Sequence, residues 1–396
     1  MVIKQFLKYS FILISTLGLF ACQQIEHRSE AIPKAPLPML AEKKTSPAKL
    51  VWSNNKSKGV NKSDAKLKVA IGGSEVVVAD NSGQLMALDK NTGAVKWQVQ
   101  SKAPISAGPA IIQGRVLVGT REGHVIAYQL SNGASLWQAR VSGSVLAAPT
   151  GGKGIIYVHV LDGSVVALKA DNGHQLWRHA VFTPPLMLRQ NSSPVLSANR
   201  LLVGFANGKL IAFDYNEGVP LWEREVAVSK GRSDIQRMVD ISSDPVVYDN
   251  KVYVVSYQGR MMAFDVESGE SVWEKDLSSY SGVAVTKAAL YASDSSGVIW
   301  ALNRNSGKEL WKGNELRGRH LTQPTVLNNT ILVGDEDGYL HWLSKKDGSY
   351  LGRVLVDSKG IDSAPVVKDN IVYVLGRGGK LAAFSAFPAE AVTGEN

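Results

Sequence analysis

The chain has 396 residues, of which 44 are Lys or Arg and 35 are Asp or Glu, so its formal net charge is +9; 44% of its residues are apolar. This apolar content can build a large core, and a chain of this length would ordinarily form two domains. Cys22 is the only cysteine, which excludes an intramolecular disulfide.

The chain begins with the pattern of an export signal. Lys4 and Lys8 make the N-terminus positive, and Tyr9–Leu19 is an apolar run too short for a comfortable membrane span. The run leads into Leu19-Phe20-Ala21-Cys22, which resembles the bacterial lipobox, although Phe20 is bulkier than the residue usually found there. Residues 1–21 are therefore predicted to be a lipoprotein signal peptide. The alternative is an ordinary secreted protein with one unpaired thiol.

Lipidation at Cys22 would hold the mature protein on a membrane without a transmembrane helix. Gln23 follows the cysteine, at the position where an inner-membrane retention signal would have Asp. We therefore expect an outer-membrane lipoprotein on the periplasmic face. Loss of residues 1–21 removes two lysines and lowers the charge from +9 to +7. The periplasm offers no nucleic acid, so the expected partners are anionic lipid surfaces or acidic protein faces.

Residues 22–48 are predicted to be a lipidated flexible tether. They are rich in Pro, Lys, Glu and Ala and lack apolar periodicity, which is typical of a semi-extended linker.

One repeat then recurs eight times. A Gly is followed by Ala four positions later, by a second Gly ten positions later and by Trp fourteen positions later. Pro lies fourteen residues before the first Gly in six copies, and Val69 and Val283 take that position in the others. A period near 40 residues with β-type alternation indicates propeller blades. The first Gly and the Trp of the six regular copies are Gly83 and Trp97, Gly123 and Trp137, Gly163 and Trp177, Gly208 and Trp222, Gly259 and Trp273, and Gly297 and Trp311.

The second copy predicts four antiparallel strands, separated by Gly-containing turns: Pro109–Gln113, Arg115–Thr120, His124–Leu130 and Ser135–Arg140. The eighth copy has three strands but no Trp, whereas Leu50-Val51-Trp52 is an orphan fourth strand. We therefore predict an all-β, eight-bladed β-propeller over residues 49–387, whose last blade is closed by the N-terminal strand. Residues 388–396 would form a C-terminal tail.

The seventh copy departs from the pattern twice. Trp342 replaces the Ala, and Gly352 replaces the Trp. If the two positions face each other, this is an exchange that conserves core volume. The alternative is that the two changes are unrelated.

The sequence offers little for catalysis. It has no nucleophile elbow, phosphate loop or zinc-protease signature. His174 and His179 flank Trp177 and are not expected to bind a metal. Asp335-Glu336-Asp337-Gly338 could suggest a calcium loop, but its place in the repeat predicts a hairpin tip.

The repeats resemble those of quinoprotein-type propellers, a family that includes quinone-dependent dehydrogenases and non-catalytic scaffolds. The resemblance implies that each Trp docks one blade against the next. A dehydrogenase of that family would also carry a vicinal disulfide, which one cysteine cannot form. We therefore expect no catalytic residue, no cofactor and no metal.

Two long loops follow Trp177 and Trp222, in consecutive blades. Both connect a fourth strand to the next first strand, so they should emerge side by side on one face. Their apolar residues, edged by Arg and Asp, indicate a protein-binding patch. The alternative is that the leucines fold back over the central channel.

The lipobox, the eight repeats and strings such as Gly334-Asp-Glu-Asp-Gly-Tyr-Leu-His-Trp342 resemble the BamB family of outer-membrane β-barrel assembly lipoproteins. In that family a Leu-x-Leu-Arg stretch and an Asp-x-Asp stretch contact the periplasmic domains of the barrel-inserting subunit, BamA. The matching residues here are Leu186, Leu188, Arg189 and Asp240, whereas Ser242 replaces the second acid.

The resemblance implies a non-enzymatic scaffold that assists the insertion of β-barrel proteins, with unfolded barrel substrates as further partners. Two alternatives remain, a free-standing envelope-binding propeller and a quinone-dependent dehydrogenase.

Overall fold

The computed structural model describes residues 32–39, 48–60, 65–188, 191–230 and 232–386. The signal peptide, Cys22, Arg189 and the C-terminal tail lie outside the described residues, as does most of the tether. All strands belong to one compact unit, Pro33–Asn396. In the described part of the chain, no helix is long and apolar enough to cross a bilayer.

The strands form eight sheets, which are the blades of a β-propeller. β1 (Leu50–Asn54) and β2 (Lys66–Leu67) precede the first complete blade. Blades 1 to 4 consist of β3 (Ala70–Gly72), β4 (Glu75–Ala79), β5 (Gln84–Asp89) and β6 (Val95–Gln100); β7 (Ile105–Ile112), β8 (Arg115–Thr120), β9 (His124–Gln129) and β10 (Ser135–Arg140); β11 (Thr150–Gly152), β12 (Ile155–His159), β13 (Ser164–Lys169) and β14 (Gln175–Ala180); and β15 (Val195–Ser197), β16 (Arg200–Gly204), β17 (Lys209–Asp214) and β18 (Pro220–Glu225).

A short helix, α1 (Asp234–Arg237), precedes blade 5. Blades 5 to 8 consist of β19 (Val246–Tyr248), β20 (Lys251–Val255), β21 (Arg260–Asp265) and β22 (Ser271–Asp276); β23 (Val283–Val285), β24 (Ala289–Ser293), β25 (Ile299–Asn303) and β26 (Glu309–Gly313); β27 (Thr325–Leu327), β28 (Thr330–Gly334), β29 (Tyr339–Ser344) and β30 (Tyr350–Leu355); and β31 (Val366–Lys368), β32 (Ile371–Leu375) and β33 (Leu381–Ser385), completed by β1.

The predicted ring closure is confirmed. β1 pairs antiparallel with β33, with Trp52 opposite Ala383 and Asn54 opposite Leu381. The eighth blade is thus built from both ends of the propeller, and its outer strand covers an edge that would otherwise be open to pairing with another chain.

The hydrophobic core lies between the blades. Eight clusters of buried side chains each combine residues of two neighbouring blades, so every blade-to-blade interface is apolar. In β4, for example, Val76, Val77 and Val78 are all fully buried, because both sheet faces are covered.

The repeated Trp packs on the next blade, as the resemblance implied. Trp137 lies against Gly173, and its Nε1 donates to the carbonyl oxygen of Ala170 at 2.8 Å. A Cβ at this position would lie 2.6 Å from the ring, and the φ angle of Gly173 is +71°. The turn therefore requires Gly both for its backbone conformation and for the space that the ring occupies.

Blade 7 confirms that the Ala and Trp positions face each other. Trp342 pairs with Gly352, as Ala87 pairs with Trp97 in blade 1. Trp342 is fully buried and contacts Phe384 of blade 8 edge-to-face, with the ring centroids 6.2 Å apart. Blade 8 has no hairpin between its third and fourth strands, because these come from opposite ends of the propeller. A Trp at position 352 would therefore lack the glycine turn on which the other Trp rings pack.

The alternation of strands gives the propeller two different faces. The connections from second to third strands and from fourth to first strands lie on one face, which we call the loop face. The other connections lie on the opposite, turn face. Both long loops belong to the loop face.

Candidate partner-binding face

The two long loops of the loop face contact the same turn of blade 4, which joins β16 to β17. The Asn207 side chain in blade 4 donates to the carbonyl oxygen of Phe182 in the first loop at 3.2 Å. In the second loop, the Ile241 amide donates to the carbonyl oxygen of Phe205 at 3.2 Å. Residues of both loops line one cavity. The prediction that the loops emerge on the same face is therefore supported by their contacts.

The structure separates the residues of the predicted site. Leu186 is 40% exposed, whereas Leu188 is half-buried and lines the central cavity. Asp240 is only 1% exposed, and its carbonyl oxygen accepts the amide of Tyr257 at 2.8 Å. Ser242 is buried and also lines the cavity. Leu188 thus follows the alternative in which the loop folds over the channel, whereas Leu186 faces solvent.

Sequence reasoning missed the most exposed apolar side chains of these loops. Phe182 is 78% exposed, Ile235 66% and Val228 43%. Several large apolar side chains exposed together on one face are typical of an interaction site, whereas a single exposed one is not. Phe182, five residues after the Trp of blade 3, was visible in the sequence, but its exposure depends on the loop conformation.

Local hydrogen bonds hold α1 and present Ile235. Ser233 accepts the amide of Gln236 through its side chain, and the Gln236 side chain accepts the Ser233 amide, which forms a capping box. Arg237 and Asp234 form an ion pair across the turn. The Gln258 side chain donates to the carbonyl oxygen of Ile235 at 3.3 Å. These contacts hold the backbone of Ile235 in place, while its side chain stays exposed to solvent.

A central cavity of about 810 Å³ opens on the loop face. Its apolar lining comes from the two long loops, through Met187, Leu188 and Met238, and from other connections and turns, through Leu146, Tyr257, Tyr280 and Leu321. Its ionisable lining residues are Lys68, Asp244, His320, Glu336, Asp362 and Arg377. Burial raises the pKa of Tyr280 to about 12, so its hydroxyl stays protonated and can donate or accept a hydrogen bond.

An ion pair spans this cavity. β2 pairs in parallel with the inner strand β7, and Lys68, which follows β2, reaches the carboxylate of Asp244 beside blade 5. Asp244 also accepts the Ser193 amide at 2.7 Å. Burial works to raise the pKa of Asp244, but attraction to Lys68 and these hydrogen bonds outweigh it, so the pKa lies below its ordinary value.

The acidic sequence at 335–338 is a hairpin tip, as predicted. It joins β28 to β29, and its carboxylates contact cationic side chains of the chain itself. His179 packs against Phe213 with ring centroids 5.1 Å apart. Within the residues that the structure describes, no group of three or more His, Cys, Asp or Glu could hold a metal ion.

Comparison with known proteins identifies the family. The family model described as "Outer membrane protein assembly factor BamB" matches residues 45–107, 81–313 and 296–391. A curated protein of that name from Pseudomonas aeruginosa is 47% identical over 334 residues, covering 84% of this chain and 88% of the relative. The chain belongs to the BamB family.

Solved structures agree with this assignment. The crystal structure of BamB from Moraxella catarrhalis matches with a TM-score of 0.79 and 27% identity, covering 85% of this chain and 99% of that one. The quinohemoprotein alcohol dehydrogenase of Comamonas testosteroni matches with a TM-score of 0.68 but 13% identity, covering 90% of this chain and 81% of that one. The BamB family and that dehydrogenase therefore share the propeller fold, which by itself carries no activity.

Proposed function

We propose that this protein is a non-catalytic scaffold of the outer-membrane β-barrel assembly machinery, lipid-anchored through Cys22 on the periplasmic face. Its membership of the BamB family supports the assembly role. The observation that carries the binding mode is the set of exposed apolar side chains on two adjacent loops of one face.

The proposed binding surface consists of Phe182, Leu186 and Ile235, and its partner is the periplasmic part of the barrel-inserting subunit, BamA. Large apolar side chains that leave solvent on binding supply most of the affinity of such interfaces. Arg189, which belongs to the first of the two long loops in sequence, is proposed as a charge-assisted donor to an acidic group of the partner. Because Asp240 is buried, we assign it a supporting role: it holds the second loop through the Tyr257 contact.

A pull-down with two alanine substitutions tests this surface. Phe182→Ala combined with Leu186→Ala should abolish co-purification of the barrel-inserting subunit from solubilised outer membranes. Truncation of an interface anchor costs about 2 kcal/mol or more, which is roughly thirtyfold in affinity. The matched control is Leu310→Ala, since Leu310 is similarly exposed, at 53%, but lies on the outer strand of blade 6.

The folding control is circular dichroism at matched expression. Wild-type binding by the Phe182 and Leu186 double variant would place the interface elsewhere on the propeller. If the wild-type protein itself recovers no assembly subunit, the protein is instead a free-standing envelope-binding propeller. A quinone absorbance in the purified protein would point to the dehydrogenase alternative.

A further inference from the structure

Residues Pro33–Met39, which we call the strap, lie against blade 7. Lys34 Nζ contacts Glu336 at 2.7 Å and Asp337 at 2.9 Å. Three further hydrogen bonds hold the strap backbone: the Ala35 amide to the carbonyl oxygen of Arg317 at 2.9 Å, Arg319 to the carbonyl oxygen of Ala35 at 2.8 Å, and Arg353 to that of Pro38 at 2.8 Å. The prediction of a flexible tether over residues 22–48 did not anticipate this contact.

The acidic turn that contacts Lys34 is held in place by a buried network of polar side chains. Asp335 is fully buried, and its Oδ2 contacts both Arg319 at 3.2 Å and His341 at 3.0 Å. Tyr350 contacts the other ring nitrogen of His341 at 2.8 Å. Burial lowers the pKa of His341 in spite of the neighbouring carboxylate, so the ring is neutral at pH 7. This buried network holds Glu336 and Asp337 at the surface, where they meet Lys34.

Blade 7 is chemically distinct at this position. The two residues before the Gly of the second-to-third turn are Glu336 and Asp337 only in blade 7; in the other blades the pair contains at most one acid, as in Arg121-Glu122 of blade 2. The turn of blade 7 is therefore the one second-to-third turn in which these two positions offer Lys34 two carboxylates.

The strap also changes the face from which the N-terminal chain leaves. The 335–338 turn belongs to the loop face. Ala48, in contrast, precedes Leu50, which pairs with Phe384 at the turn-face end of β33. Arg353, in the middle of β30, binds Pro38 between these two levels. The described part of the strap therefore follows the outer edge of blade 7 from the loop face downward.

We propose that docking of the strap transfers the exit of the membrane anchor from the turn face to the loop face, the face that carries Phe182, Leu186 and Ile235. From Cys22 to Ala48 there are 26 residue steps, but only 11 to Pro33. An extended chain spans at most about 90 Å in the first case and about 40 Å in the second. The docked strap therefore shortens the chain between Cys22 and the propeller from 26 residue steps to 11. The change in the exit of the anchor rests on the proposed lipidation of Cys22, whereas the docking itself does not.

Zero-length cross-linking tests the docking in the full-length, membrane-bound protein. A water-soluble carbodiimide should join the Lys34 amine to Glu336 or Asp337, and mass spectrometry of the digest identifies the linked peptide. The Lys96 and Glu75 pair, with a 2.7 Å contact, is the internal positive control. Glu336→Gln with Asp337→Asn should remove the Lys34 cross-link and leave the control unchanged, whereas Glu122→Gln in the matching turn of blade 2 should have no effect.

A charge swap separates docking from damage to the turn. Lys34→Glu alone should lose the cross-link, and adding Glu336→Lys should restore it between the exchanged side chains. Absence of the Lys34 cross-link while the Lys96 control forms would overturn the proposal. Repeating the experiment with Cys22→Ala distinguishes the two claims: loss of acylation with the cross-link retained supports both, and a Cys22→Ala protein that stays acylated refutes the anchor but not the strap.

Discussion

At the scale of single residues, the tryptophans combine packing with one hydrogen bond. Trp97, Trp137 and Trp273 each donate from Nε1 to a backbone carbonyl of the next blade at 2.8 Å. Trp177 lacks this bond, and the hydroxyl of Tyr157 donates to the equivalent carbonyl, that of Tyr215, at 2.8 Å. One interblade carbonyl is thus satisfied by a different donor, while the ring of Trp177 still lies against Gly218.

His159 gives a pH prediction at this scale. The ring is buried, one nitrogen contacts the carbonyl oxygen of Ser192 at 2.9 Å, and Phe205 packs edge-to-face at 5.0 Å. Burial lowers the pKa of His159 to about 4 from an ordinary 6.5. The unfolded chain binds a proton on this histidine at a higher pH than the folded chain does. The contribution of the neutral ring to the free energy of unfolding is therefore complete above pH 6.5, falls as the pH drops, and is lost below about pH 4. The loss should approach about 3 kcal/mol.

Chemical denaturation between pH 4 and 7.5 measures this effect. His159→Gln keeps a donor for Ser192 but does not titrate, so its unfolding free energy should depend less on pH than that of the wild type. The other titrating groups, including His341, cancel in the difference. Parallel stability curves for the two proteins would mean that His159 is not the responsible group.

Burial of individual loop residues could not be predicted from the sequence. The spacing of Leu186 and Leu188 is the same in an exposed and in a folded-over loop, and only the structure separates the two side chains. Asp240 is similar: an acid near an apolar loop suggests a surface charge, but its backbone pairs with Tyr257 and draws it inward. Loop positions lack the periodicity that identifies strand residues.

At the scale of elements, β1 supports a stability prediction. We call it the seam strand, because it closes the ring by pairing with β33. Trp52 packs on Gly93 of blade 1 and donates to the carbonyl oxygen of Lys90 at 2.9 Å. Trp52→Ala should lower the free energy of unfolding by about 3–5 kcal/mol, as expected for loss of a buried aromatic ring. Deletion of Lys49–Ser53 should cost more, because it also exposes the edge of β33.

Trp137→Ala, in an internal blade, is the matched control for the seam. Similar losses for Trp52→Ala and Trp137→Ala in one cooperative transition would mean that the seam blade contributes like any other. A separate early transition confined to Trp52→Ala would show instead that blade 8 unfolds by itself. Calorimetry and denaturant curves distinguish the two outcomes.

Most elements followed from the repeat, but some features did not. The constant spacing of Gly and Trp predicts the strands and the seam, since each position recurs with the same packing partner. β2 has no counterpart in the repeat and exists only because the inner edge of blade 2 is available for pairing. The fourth strands also carry a register shift just before the Trp, as between Ser135 and Trp137, which leaves Leu136 44% exposed. Uniform alternation in the sequence conceals such a bulge.

At the scale of the whole propeller, stability is distributed around the ring. The apolar clusters lie at the blade interfaces and the centre is a cavity, so no single core holds the blades together. The repeat made this arrangement predictable, whereas the contents of the cavity were not, because Lys68 and Asp244 are far apart in sequence and outside the repeated positions.

The ion pair between Lys68 and Asp244 tests how much a contact across the cavity adds to the ring. Both side chains are partly exposed, at 39% and 28%, so solvent screens their attraction. A double-mutant cycle with Lys68→Met and Asp244→Asn should therefore give a coupling energy of about 0.2–1 kcal/mol. Asn retains an oxygen for the Ser193 amide, so the cycle isolates the charge.

Because the pKa of Asp244 is lowered, the coupling should be complete at neutral pH and disappear as the pH falls below the ordinary Asp value, and added salt should weaken it. A coupling energy of several kcal/mol at high salt would mean that the cross-cavity contact, rather than the blade interfaces, holds the ring closed.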